Sequence, residues 1–106
     1  MREIEKGSRN VYADLGIAGA EEMLVKAQLA AKIAEIIKHR KMTQAQAAEL
    51  LGIPQPKLSN MLRGRFRGIS EVKMLECLTR LGSDVQIIVK KASHTRKPGH
   101  LSVSFA

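Results

Sequence analysis

Apolar residues recur at helical spacing along most of this chain. From about Ala20 to Arg40, Leu29, Ile33 and Ile37 repeat every four residues with Ala30, Ala34 and Ile36 beside them, while Lys32, Glu35, Lys38 and His39 fall mainly on the other side. Thr43 opens a second helix. Gln46 three residues on completes a capping-box pattern, Ala47, Ala48 and Leu51 form the inner face, and Gly52 ends it. A third helix is predicted from about Gln55 to Leu62, anchored by Leu58, Met61 and Leu62, with Pro56 in the first turn, where a missing N–H costs little. Gly64 to Gly68 reads as a loop. A fourth helix runs from about Ser70, its cap, to Leu81; Val72, Leu75, Leu78 and Leu81 are expected on its inner face, helped by Met74 and Cys77, and Gly82 closes it.

After Gly82 the period changes to two. Val85, Ile87 and Val89 alternate with Gln86, Ile88 and Lys90, which predicts a strand. Residues 92 to 99 read as a loop with a Pro98–Gly99 turn, and Leu101, Val103 and Phe105 alternate with serines as a second strand. At the other end, residues 1 to 9 are polar and expected to be loosely ordered, and Asn10–Gly16 is expected to dock as a short turn. Gly16 and Gly19 would then bracket a break before the first helix. The expected organisation is an N-terminal segment (1–19), a helical domain (20–82) and a C-terminal strand extension (83–106).

Composition narrows this. Aromatics are 3% of the chain, so the core is built from Ala, Leu, Ile and Val, which suits packed helices. The formal charge is +8, which favours a polyanionic partner. There is no apolar run of membrane-spanning length, and Met1–Lys6 lacks the apolar middle of a secretory signal, so a cytoplasmic protein is expected. The single Cys77 falls inside a helical pattern and reads as a buried thiol. His39, His94 and His100 have no companions spaced for catalysis or for zinc, and no phosphate-cradling glycine loop is present. An enzyme and a bound cofactor are therefore not expected.

The chemistry concentrates between Thr43 and Arg67. Two short helices around Gly52, the first with small inner residues that allow close approach, make a helix-turn-helix unit. The outward side chains of the second helix, Gln55, Lys57, Ser59 and Asn60, all hydrogen-bond, and such side chains pair with base edges in the major groove. Gln44 opens the preceding helix, where its amide and the free backbone N–H groups suit a phosphate. Arg63, Arg65 and Arg67 follow. From Gln55 to Arg67 there are four cations and no acid.

Residues 29 to 81 resemble the lambda-repressor/Cro-like, or XRE, helix-turn-helix regulators through Thr43–Gln44, Ala47–Ala48, Leu51–Gly52–Ile53, Gln55, Leu58–Ser59 and Arg63–Gly64. The resemblance implies a lambda-repressor-like, mainly α bundle of four to five helices with Gln55–Leu62 as recognition helix, to which the alternating pattern after Gly82 adds a C-terminal β-strand extension. It also implies Gln44 on phosphate and Gln55, Pro56 and Asn60 facing the bases. Here Pro56 offers no donor, and Pro54 stands where many relatives place a capping Ser or Thr. Asn10–Gly16, the Ala-rich first helix, Arg63–Phe66 and Leu81–Val85 together look like the compact HigA-like antitoxins, which bind a RelE/HigB-like mRNA-cleaving toxin and repress their shared operon.

A lone strand over Val85–Lys90 needs a partner: either Leu101–Phe105 of the same chain, or the same strand of a second subunit, which would make a homodimer. A homodimer would set two recognition helices one turn of double-stranded DNA apart, about 34 Å, on a palindromic operator. Lys90, Lys91, Arg96 and Lys97 form a second basic cluster. Three functions stand open: a sequence-specific repressor, an antitoxin with a toxin partner, and a non-specific DNA-coating protein.

Overall fold

The computed structural model describes residues 16–93 and 98–106, residues 16–18 by backbone only. Among the described residues there are four helices and no strand: α1 (Gly16–His39), α2 (Gln44–Leu51), α3 (Gln55–Leu62) and α4 (Glu71–Arg80). None is long and apolar enough to cross a membrane. The turn expected over Asn10–Asp14 and Leu15, and Arg96 and Lys97 of the second basic cluster, lie outside the described residues.

The chain divides into two compact units, Lys26–Ile87 and a second made of Met1–Val25 with Ile88–Ala106. In the first, α2 packs on α3 and on α4. Its core holds Leu29, Ile33 and Ile37 from α1, Ala47, Ala48 and Leu51 from α2, Leu58 and Met61 from α3, and Met74, Cys77 and Leu78 from α4, all buried. Burial also pushes the Cys77 thiol pKa up. In the second unit Glu21 holds the C-terminal segment: its carboxylate is hydrogen-bonded to His100 Nδ1 and accepts from the Leu101 N–H at 2.9 Å.

The helix ends follow local rules. Thr43 and Gln46 form the reciprocal capping box, with Gln46 N–H donating to Thr43 Oγ1 at 3.1 Å and Thr43 N–H donating to Gln46 Oε1 at 2.9 Å. Ser70 Oγ accepts from the Lys73 N–H at 3.1 Å. At the opposite ends, all four helices close by one device: two N–H groups past the helix bond back to carbonyls of its last turn, as in Met42 to Ile37, Ile53 to Ala48, Arg65 to Asn60 and Ser83 to Leu78. The residue at the bend takes positive φ: Gly52, Gly64 and Gly82, but Lys41 in α1. Arg40 Nη1 then donates to the Leu81 carbonyl at 3.1 Å, and Arg80 Nη1 to the Leu50 carbonyl at 3.4 Å, so two arginines join helix ends distant in sequence. On α4, the Lys73 ammonium, hydrogen-bonded to Glu76, and the Arg80 guanidinium hold the exposed Glu76 carboxyl below its usual pKa.

This device makes opposite predictions at two positions. A Cβ at Gly52 meets only ordinary contact, Arg80 Nη1 at 3.5 Å, so the cost of Gly52→Ala is the left-handed backbone itself. Gly52→Ala is expected to lower stability by about 1–2 kcal/mol. Lys41→Gly, which relieves the same strain, is expected to raise it by about 0.5–1 kcal/mol. Urea unfolding followed by circular dichroism checks both, and equal signs would refute the account.

Three expectations are corrected. α1 starts at Gly16, so Gly16 and Gly19 lie inside the helix instead of bracketing a break. Glycine costs only about 1 kcal/mol in a helix, and Ala18, Ala20, Glu21 and Leu24 favour its continuation. On α4, Val72 is 74% exposed; the buried face is Met74, Cys77, Leu78 and Leu81. A series stepping only by three turns about 60° around a helix at each step, whereas mixed steps of three and four stay on one side. Lastly, the C-terminal β-strand extension is not formed. Neither 83–93 nor 98–106 carries a ladder, although Ala92 and Gly99 are neighbours, a Cβ at Gly99 lying 3.4 Å from the Ala92 methyl. The Leu101 N–H, which a ladder would use, is donated to Glu21.

Candidate nucleic-acid interface

The sharp turn Leu51–Gly52–Ile53 sets the N-terminal end of α2 beside the outer face of α3. Leu51, Ile53, Leu58 and Met61 are buried under this pair, whereas Gln55, Pro56, Lys57 and Asn60 of α3 are exposed and Ser59 and Leu62 are half-buried. The result is an open recess of about 370 Å³ lined by Gln44 from α2 and Gln55, Pro56, Ser59, Asn60 and Arg63 from α3 and its end. Five of the eight expected DNA-binding residues thus meet in one place. Lys57, Arg65 and Arg67 are exposed outside the recess lining.

Within the recess Arg63 Nη2 donates to Asn60 Oδ1 at 3.2 Å, one helical turn away. The bond steadies both side chains and leaves the Asn60 amide N–H groups and the remaining guanidinium donors available. Gln55 stands at the start of α3 after Pro54, which provides no side-chain cap, and Pro56 removes one N–H from the first turn. The Gln55 and Lys57 N–H groups therefore have no side-chain cap at the positive end of the helix dipole, and Gln55 lines the recess together with Gln44. That arrangement favours an anion. The donors and acceptors of Gln55, Ser59 and Asn60 match those of base edges, and no carboxylate lines the recess.

Two residues that position this site escape sequence reasoning. Phe66 and Ile69 are buried, 4% and 5% exposed, and Ile69 N–H donates to the Phe66 carbonyl at 3.0 Å. The segment expected as a plain loop is therefore a pinned turn, with Arg65 and Arg67 exposed on either side of the anchoring ring. The available signal was one of only two phenylalanines in the chain standing between arginines. Among the described residues no group of three His, Cys, Asp or Glu side chains gathers as a metal site requires.

The family of the helix-turn-helix domain matches residues 11–90. A solved structure provisionally described as an XRE-family transcriptional regulator is similar to this chain at 34% identity, covering 82% of this chain and 98% of its own, with a TM-score of 0.75. No curated protein matches.

Proposed function

Because the chain belongs to the XRE-type helix-turn-helix transcriptional regulators, we propose that it acts as a sequence-specific repressor, binding a palindromic double-stranded DNA operator as a homodimer and regulating its own operon. The observation that carries this reading is the recess: base-matching side chains on one short helix, flanked by cations and lined by no acid. In this reading α3 enters the major groove. Gln55, Lys57, Ser59 and Asn60 read base edges, Gln44 grips a phosphate from the N-terminal end of α2, and Arg63, Arg65 and Arg67 hold the backbone.

Two substitutions separate these roles. Asn60→Ala is expected to cost about 1–3 kcal/mol on the cognate site and little on random DNA, narrowing the preference between them. Arg65→Ala is expected to weaken binding to all sequences alike and to flatten the salt dependence. Gel shifts with cognate and random competitor measure both, and identical behaviour of the two variants would overturn the assignment. A wild-type protein that random DNA displaces freely would point instead to a coating protein.

The exposed Leu101 and Phe105 favour a second, compatible reading in which the protein is also an antitoxin with a RelE/HigB-like toxin as partner. Copurification with a small basic nuclease encoded beside it is the expected result; its absence from the native complex counts against this reading.

A further inference from the structure

Among the described residues, the segment after α4 leaves Ile87, Ile88 and Val89 largely exposed and its backbone without hydrogen-bond partners. Val89 is 91% exposed, Ile87 74% and Ile88 72%. Among the described residues no backbone hydrogen bond involves residues 84 to 91, the last being Ser83 N–H to the Leu78 carbonyl. Extended backbone with free N–H and C=O groups and an apolar side is a template for strand addition.

The order of its side chains names the occupant. Set antiparallel against a second copy of itself about Ile87, the segment places Ile87 opposite Ile87 and Val85 opposite Val89, so one face of the pair is continuously apolar. On the other face Asp84 lies opposite Lys90, and Gln86 opposite Ile88. Moving the centre of symmetry by one residue destroys this. About Gln86, Asp84 meets Ile88; about Ile88, Val85 meets Lys91 and Asp84 meets Ala92. One register alone satisfies both the charges and the apolar residues, and a self-complementary register is what a two-fold interface requires. We infer that residues 84–90 form a two-stranded antiparallel ribbon with the same residues of a second copy, in register about Ile87, and that this ribbon is the contact of the homodimer. The inference rests on the homodimer in the proposed function, and specifies it.

Charge reversal tests the register. Asp84→Lys sets like charges opposite each other at both symmetric positions, and is expected to weaken dimerisation about tenfold or more. Lys90→Asp does the same, and the double variant D84K/K90D regains the opposite-charge pairs and recovers wild-type dimerisation. Analytical ultracentrifugation of the full chain provides the dissociation constants. In parallel, Ile87→Cys is expected to give a covalent dimer on mild oxidation, because opposed positions of an antiparallel pair fall within disulfide reach and the native Cys77 is buried. A double variant that stays as weak as the singles, an I87C variant that remains monomeric under oxidation, or a monomeric wild-type chain would each overturn the inference. Gel shifts on a single half-site keep the two proposals apart. Retained sequence preference with no ribbon dimer sinks the ribbon alone, and an intact dimer without sequence preference sinks the DNA reading alone.

Discussion

Phe66→Ala is expected to lower stability by about 3–5 kcal/mol, the usual cost of emptying a buried aromatic site. With total stabilities near 5–15 kcal/mol, such a variant is close to the limit of folding, and its melting temperature should fall by about 15 °C or more. The ring is 4% exposed, and the turn that it pins holds, besides the equally buried Ile69, only charged residues and glycine. Ile69 already fills its own buried place, so no other apolar residue of the turn is left to fill the hole. The same variant should lose DNA affinity even at a temperature where it remains folded, because Arg65 and Arg67 flank the anchor. Thermal melting followed by gel shifts in the cold checks both effects. A loss below about 1 kcal/mol would mean that the turn is held by its backbone bonds alone.

The second large effect is electrostatic. In the proposed dimer, three arginines per subunit on phosphates would release counterions in proportion. The affinity should then fall with salt at a logarithmic slope of about −5. Raising salt fourfold is expected to weaken operator binding on the order of a thousandfold. The triple variant R63A/R65A/R67A should lose most of that slope while its residual binding keeps a reduced preference for the operator, since Gln55, Lys57, Ser59 and Asn60 are unchanged but the Arg63–Asn60 bond is lost. A triple variant with the wild-type slope would place the phosphate contacts elsewhere on the protein. Arg63 is the informative member, because it also bonds Asn60; its single removal should affect slope and sequence preference together.

How far the fold was legible depended on the range over which each feature is decided. The Thr43–Gln46 box and the Ser70 cap were readable because both partners lie within three residues and no distant contact intervenes. The recess was readable because one tight turn at Gly52 fixes how Gln44 approaches Gln55. Phe66 was not readable: its burial is decided by packing from elsewhere, and a single aromatic in a charged loop has no period. Val72 was misplaced because steps of three alone do not hold one side of a helix. The strand expected at Val85–Val89 is not formed within the single chain for a related reason. Alternation records which side of an extended chain is apolar, but a ladder needs a second chain segment. The nearest candidate in the same chain has its Leu101 amide committed to Glu21.

The division of labour along α3 carries a consequence for how such a regulator changes. Leu58 and Met61 are fully buried and hold the helix in place, whereas Gln55, Lys57 and Asn60 are exposed, with the bond between Asn60 and Arg63 as their described side-chain hydrogen bond. Exchanging the exposed set costs the domain almost nothing in stability. With these positions reading the operator as proposed, duplicated copies would be free to drift toward new operators while keeping one scaffold, and an engineer could retarget the protein by rewriting three or four positions.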